Sequence, residues 1–185
     1  MSGADLLASL GKMLGDKLQR KIEFRGETTF VILPADLREV AKFCRNDLRL
    51  DYLIDITSID NFGEEPRFEI VYELYSMAHA THLRLKLSIS EDVNEVPTIS
   101  DIWPTANWHE REIYDMMGIR FANHPDLRRI LMWEGYPYFP LRKEFTRSIS
   151  TSRIAITIWL STFLTRSSAT LIGQRCTKFR PGPTS

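Results

Sequence analysis

The spacing of hydrophobic residues divides the first part of the chain into alternating helices and strands. Residues 4–20 place leucine and methionine side chains three or four positions apart, which predicts a short amphipathic helix. Residues 21–24 and 28–33 lie on either side of Gly26 and alternate or run β-branched, which predicts a hairpin. Residues 34–48 begin with proline and carry one apolar stripe, which predicts a second helix.

Three strand-like segments follow, at residues 52–59, 67–75 and 82–89. In the second and third segments, hydrophobic residues alternate with charged or polar ones, which is typical of a sheet with one buried and one wet face. The short link between these two segments predicts that they pair as an antiparallel hairpin.

The remainder of this region is predicted to contain one more helix. After an acidic loop at residues 91–95, a helical region is interrupted at Pro104 and ends at Gly118, a suitable residue for a helix C-terminus. A short apolar run at 119–121 and an irregular segment to Phe145 complete it. The order of elements predicts an α+β fold: a mixed, mostly antiparallel sheet of about five strands with helices on one face, followed by an extended C-terminal arm.

Charge divides the chain into two regions. The 185 residues contain 24 basic and 24 acidic side chains, but residues 1–145 hold all the acids and 18 of the bases. Residues 146–185 hold six bases, no acid and 15 serines or threonines. We therefore predict a domain at 1–145 and a separate basic tail at 146–185. The tail has three interpretations, namely a divergent arm, a disordered segment or a shifted reading frame, and the abrupt loss of acids favours the third.

Several protein classes are disfavoured by the ends of the chain and by its cysteines. The first 20 residues lack the basic and apolar regions of a secretory signal. The longest apolar run, residues 154–164, is short of the ~20 residues that span a bilayer. Cys44 and Cys176 form no CxxC pair and cannot supply the four thiolates of an ordinary iron–sulfur cluster. A reducing cytoplasm is the expected compartment.

The most informative pattern begins at Glu110 and ends at Leu131. Its order is Glu-Arg-Glu, two residues, Asp, two methionines, six residues, His, three residues, two arginines and two aliphatic residues. Three flanking segments belong with it: Asp-Ile-Trp-Pro at 101–104, Ala-Asn-Trp at 106–108 and Pro-Leu-Arg-Lys-Glu-Phe at 140–145. Over roughly residues 5–145 the chain resembles the C subunit of proton-pumping NADH:quinone oxidoreductase, respiratory complex I.

This resemblance implies a role within a larger enzyme. The C subunit is an α+β protein of the peripheral arm that packs on the neighbouring quinone-site D subunit and binds no cofactor itself. The holoenzyme passes electrons from NADH through FMN and iron–sulfur centres to quinone. The resemblance therefore predicts a peripheral, cofactor-free structural subunit on the cytoplasmic side of the bacterial inner membrane. The absence of a G-x-G-x-x-G phosphate-binding motif agrees with it.

The candidate functional residues are mostly charged and lie on the third predicted helix and in the segment after it. On the helix they form a docking surface, an internal ion-pair network or a solvated face, and the resemblance favours the first two. The basic residues that follow are expected to meet carboxylates of a partner or of this chain. The predicted partner-binding or structural residues are Trp108, Glu110, Arg111, Glu112, Asp115, His124, Arg128, Arg129, Arg142 and Lys143.

Two further clusters have more than one interpretation. His109 and Glu112 have a spacing that could ligate a metal beside another carboxylate, but no complete ligand set is evident. The aromatic group at residues 133–139 is either an arm packed on a partner or a loop folded over this domain's own core.

Three alternative functions remain open from the sequence. The first is the equivalent subunit of a related membrane-bound hydrogenase or other quinone-linked dehydrogenase. The second is a nucleic-acid-binding domain that uses the basic tail, although the excess of acids in residues 1–145 disfavours it. The third is a small metal-dependent enzyme built on His109, Glu112 and His124.

Overall fold

A computed structural model describes residues 3–145, and the predictions made for the tail lie outside these described residues. Three α-helices and seven strands are present in this range. In chain order they are α1 (Gly3–Leu14), β1 (Leu18–Phe24), β2 (Glu27–Ile32), α2 (Leu37–Asn46), β3 (Tyr52–Asp60), β4 (Phe68–Ser76), β5 (Thr81–Ile89), β6 (Glu95–Pro97), α3 (Ala106–Met117) and β7 (Arg120–Ala122).

Five strands form the main sheet, in the order β1-β2-β5-β4-β3. Its pairings are antiparallel, except that β2 and β5 run parallel in the centre. The hairpins β1–β2 and β4–β5 connect neighbours directly, whereas α2, β3 and β4 lie between the two parallel strands along the chain. The predicted mixed, mostly antiparallel sheet of five strands is confirmed.

The two faces of this sheet differ as the alternation predicts. Leu83, Leu85 and Leu87 of β5 are buried on one face, opposite Leu74, Tyr72 and Ile70 of β4. On the other face Arg84 pairs with Glu73, and Lys86 lies 3.2 Å from Glu69. Helices α1 and α2 contribute their apolar stripes to the same core cluster as the leucines, which is the buried face.

The first predicted helix is too long. It ends at Leu14, because Gly15 adopts a positive φ of 44°, and Leu18 already pairs with Ile32 in the sheet. The apolar spacing over residues 4–20 therefore comes from two elements: the buried stripe of α1, which ends at Leu14, and Leu18, the first residue of β1.

A second, two-stranded sheet was not predicted. β6 and β7 pair in parallel, with Val96 opposite Phe121, and α3 lies between them along the chain. The helix begins only at Ala106, so the prediction of helical structure before Pro104 is wrong. Strands of three residues are too short for alternation to reveal, and their pairing depends on residues 25 positions apart. Within residues 3–145, no helix combines the length and the apolar character that crossing a membrane requires.

Candidate functional site

Helix α3 is packed on more than one side, so its charged residues divide between the interior and the surface. Glu110, Arg111 and Asp115 are buried, whereas Glu112 is exposed. A helix turns 100° per residue, so burial of neighbouring positions 110 and 111 requires protein on two adjacent faces. Three of the four charged residues predicted here therefore make internal contacts, and Glu112 lies on the surface side of α3.

Asp115 binds the chain that follows β7. Its Oδ1 receives a hydrogen bond from Arg129 at 2.6 Å, and its Oδ2 receives the backbone N–H groups of Ile130, Leu131 and Met132 at 2.7–3.1 Å. Burial alone would raise the pKa of Asp115, but these donors outweigh burial and lower it. Arg111, four positions before Asp115, forms no ion pair with it, because the carboxylate faces Arg129 instead.

Residues 128–142, here called the return segment, also cover the C-terminal end of α3. The last carbonyls of a helix have no partner within it, and α3 carries no basic residue in its last turn. Donors from elsewhere in the chain satisfy these carbonyls. Arg129 Nη1 donates to the carbonyl of Asp115 at 3.1 Å, and the Leu141 backbone N–H donates to that of Met116 at 3.1 Å. Arg142 Nε donates to the carbonyl of Met117 at 2.7 Å, and Asn94 Nδ2 donates to that of Gly118 at 2.8 Å. The two guanidinium groups also interact favourably with the negative end of the helix dipole.

Gly118 lets the return segment approach this helix end closely. It adopts the left-handed conformation, with φ 76°, as predicted for a helix-terminating glycine. A Cβ at this position would lie 2.6–2.8 Å from three ring atoms of Phe139. The Phe139 ring also lies under Arg129 and Arg142, whose guanidinium carbons are 5.2 Å and 4.8 Å from its centroid.

Arg67 is a buried arginine that the sequence analysis did not identify, and its ion-pair cluster binds the chain at residues 143–144. Arg67 binds both carboxylate oxygens of Asp60, at 2.9 Å and 3.0 Å, and also Glu91 and Glu144. The backbone N–H of Lys143 donates to Asp60 at 2.9 Å, whereas the Lys143 side chain is exposed. Asp60 and Lys143 are 83 positions apart. Only the fold brings them together, so no local sequence signal could have identified this cluster.

One aromatic–arginine contact and two ion pairs involve the remaining predicted residues. Arg111 lies over the Trp108 ring at 5.0 Å and donates to the carbonyl of Arg128 at 3.1 Å. Arg128 itself is exposed and pairs with Asp126 at 2.8 Å. Arg142 reaches Glu91 at 3.3 Å. The basic residues that form ion pairs here therefore meet carboxylates of this chain.

The interior between α3 and the β6–β7 region contains Glu110, Thr98 and His124. Glu110 accepts hydrogen bonds from the Ile99 N–H at 2.8 Å and the Thr98 hydroxyl at 2.5 Å. His124 Nε2 lies 3.8 Å from Glu110, and both side chains are fully buried. His109 instead faces Asp55, at 3.1 Å. Residues 3–145 contain no group of three or more metal-ligating side chains, so the proposed set of His109, Glu112 and His124 is not assembled.

The outer side of the return segment exposes large apolar residues. Trp133 is 62% exposed, and Leu131 and Leu141 are each 58% exposed. Trp133 and Tyr136 contact each other edge to face, and Tyr136 does the same with Tyr138. Inner residues of this segment thus pack on the domain's own core, while outer ones remain uncovered. The inner residues agree with a loop folded over this domain's own core, and packing of the outer residues on a partner stays a prediction.

Comparison with known proteins identifies the family. The family model described as "Respiratory-chain NADH dehydrogenase, 30 Kd subunit" matches residues 30–150, which is more than half of the chain. The chain belongs to this family.

Relatives and solved structures agree with the assignment to the 30 Kd subunit family. The C subunit of NADH-quinone oxidoreductase from Geotalea uraniireducens (strain Rf4) is 45% identical over 123 residues, covering 66% of this chain and 75% of that protein. The C 2 subunit of the same enzyme from Rhizobium etli (strain CIAT 652) is 43% identical over 140 residues, covering 75% and 74%. The solved structure titled as Nqo5 of a trypsin-resistant fragment (1-134) has a TM-score of 0.61 and 25% identity, covering 68% of this chain and 99% of that one.

These findings confirm the family resemblance on which the functional expectations rest. They give no support to the hydrogenase, nucleic-acid or metal-enzyme alternatives. The matched region contains α3 and the return segment, so the family match covers the residues that form the buried contacts and the exposed apolar surface of this chain.

Proposed function

We propose that this chain is a structural subunit of the peripheral arm of NADH-quinone oxidoreductase and performs no bond-making chemistry itself. Electrons in the holoenzyme would pass from NADH through FMN and iron–sulfur centres held by other subunits to quinone. The chain would lie peripherally on the cytoplasmic side of the bacterial inner membrane. Family membership supports the enzyme complex, and the position of the buried charges supports a structural role.

The observation that carries this proposal is the exposed apolar surface of a firmly held segment. Leu131, Trp133 and Leu141 are exposed, while the Leu131 backbone N–H donates to the Asp115 carboxylate and the Leu141 N–H donates to the Met116 carbonyl. Aromatic residues are enriched at interface centres, and a few of them supply most of the binding free energy. The segment therefore has the composition and the fixed conformation of a contact between subunits.

We further propose the quinone-site D subunit as the partner that covers this surface. The exposed guanidinium of Arg128 and the Lys143 side chain lie in the same stretch of chain, so the partner surface should be apolar with acidic residues at its rim.

Affinity purification of the full chain from detergent-solubilised membranes tests this contact. Trp133→Ala should lower the recovery of the quinone-site partner by tenfold or more, because a central interface tryptophan contributes about 2 kcal/mol or more. Phe24→Ala is the matched control, since Phe24 is 65% exposed on the distant β1–β2 hairpin.

Two results would contradict the proposal. Equal recovery of the quinone-site partner with both variants would show that the return segment is not the contact. Recovery of the unmodified chain only as an isolated monomer, without any other subunit, would refute the structural role.

A further inference from the structure

Glu110 is a fully buried carboxyl group without a cationic partner. No lysine or arginine of residues 3–145 forms an ion pair with it, and the nearest basic nitrogen is His124 Nε2 at 3.8 Å. An unpaired carboxylate is unfavourable in such a site, because burial removes water without supplying an opposite charge.

The hydrogen bonds of His124 keep its ring neutral. The backbone N–H of Asp126 donates to Nδ1 at 3.0 Å, so Nδ1 carries no proton. Nε2 lies 3.3 Å from the carbonyl of Asn107, to which its N–H donates. Burial, reinforced by the nearby Arg111, lowers the pKa of His124 although the Asn107 contact opposes this. The ring therefore cannot supply the positive charge that Glu110 lacks.

Two hydroxyl groups connect Glu110 to an open cleft. Thr98 Oγ1 lies 2.5 Å from Glu110 Oε2 and 2.9 Å from Ser100 Oγ. Ser100 lines the cleft together with Asn107 and Trp108. Thr98 has a single hydroxyl hydrogen, which can serve only one of these neighbours at a time. In the protonated state Glu110 donates to Thr98 and Thr98 donates to Ser100, whereas in the ionised state both hydroxyls reverse, so that Ser100 donates to Thr98 and Thr98 donates to Glu110.

We propose that Glu110 is an internal proton-binding site that exchanges with solvent through Thr98 and Ser100. On release, the proton of Glu110 moves to Thr98 Oγ1, the Thr98 hydrogen moves to Ser100, and the Ser100 hydrogen leaves to water in the cleft. Thr98 and Ser100 each end with one hydrogen, and Glu110 ends as a carboxylate that accepts from Thr98. This property is independent of the proposed function of the chain.

The surroundings of Glu110 place its titration near neutral pH. Burial raises its pKa from 4.5 to about 7, and the charge of Asp101 raises it too, whereas Arg38 of α2 lowers it. Tyr72 of β4 faces the carboxyl from the sheet, and burial and Glu110 both raise the pKa of its phenol, so it stays neutral. The other facing group is the neutral ring of His124. The hydrogen bonds from Ile99 and Thr98 lower the Glu110 pKa but do not restore its ordinary value.

Urea unfolding of the full chain between pH 5 and pH 8 tests the proposal. The native state retains a proton that the unfolded chain has released, so this group makes the native state less favoured as pH rises. The folding equilibrium constant should fall on the order of 50-fold from this group alone, given a pKa of about 7 against 4.5. Glu110→Gln keeps the shape of the side chain and a hydrogen-bond donor to Thr98, and its folding equilibrium constant should lose this dependence on pH. Glu112→Gln, exposed on the same helix, should retain it.

Carbon NMR of glutamate-labelled protein observes the proton directly. The Glu110 carboxyl signal should titrate with a midpoint near 7, and Thr98→Val should move that midpoint upward, because the carboxylate loses a hydrogen bond. A midpoint at the ordinary glutamate value of about 4.3 would overturn the proposal. An unchanged midpoint in Thr98→Val would overturn the assigned route. A pH dependence that persists in Glu110→Gln would assign the proton to another group.

Discussion

Replacement of Gly118 by alanine tests how closely the return segment packs on the end of α3. The substitution carries two costs. A left-handed φ costs a non-glycine residue about 1–2 kcal/mol. The new methyl group would also lie 2.6–2.8 Å from the Phe139 ring, and overpacking of this kind costs about 1–3 kcal/mol. The free energy of unfolding should therefore fall by about 2–5 kcal/mol in total, summing the two costs.

Gly135 provides a matched control for the conformational part. Its φ is 82°, and a Cβ there would meet no atom within 4 Å, so Gly135→Ala carries only the first cost. Urea unfolding should show Gly118→Ala to be less stable than Gly135→Ala by about 1–3 kcal/mol. In a thermal scan, each kcal/mol corresponds to roughly 2–4 °C for a chain of this size.

A second substitution isolates the contact itself. Phe139→Leu should be less destabilising in the Gly118→Ala background than alone, because the smaller side chain relieves the overlap. Equal stabilities of the two alanine variants would refute the packing argument. So would strictly additive effects of the changes at positions 118 and 139, since the two residues would then not be in contact.

Two other substitutions test the buried charges. Asp115→Asn should destabilise the domain by about 1–3 kcal/mol, because Arg129 loses its counter-charge, and the loss measured at pH 7 should shrink on acidification. The pKa of Asp115 is lowered in the native state, so its contribution to the free energy of unfolding is present above pH 3.8 and disappears as pH falls below that value. If the unmodified chain and Asp115→Asn differed in free energy of unfolding by the same amount at pH 5 and at pH 2.5, this reasoning would be wrong. Arg67→Met should cost about 3–5 kcal/mol by leaving the buried Asp60 carboxylate without a counter-charge, and the double variant with Asp60→Leu should recover stability in urea unfolding.

The sheet could be predicted because its signal is local. Alternation in β4 and β5 fixes both the strands and the buried face, and a short turn fixes their pairing. The parallel pairing of β2 with β5 left no such signal, because it joins residues 55 positions apart, as between Phe30 and Leu85. The three-residue strands of the second sheet were missed for the same reason.

The candidate site was predictable in its residues but not in its arrangement. The charged residues of α3 have the composition of a solvated helix face, yet the return segment covers Arg111 and Asp115. Glu110 and Glu112 look equivalent in the sequence, although one is fully buried and the other exposed. Which of them is buried depends on contacts with Thr98 and Ile99, which lie outside the helix.

The hydrogen bonds between the return segment and α3 also lower the conformational free-energy cost of binding a partner. An irregular segment that became ordered only on contact would lose about 1–2 kcal/mol of conformational free energy per residue. Here the amides of residues 130–132 are bound by Asp115 and the Leu141 amide by Met116 before any partner arrives. The surface that carries Trp133 is thus preorganised, and more of the free energy of its apolar contacts remains available as affinity.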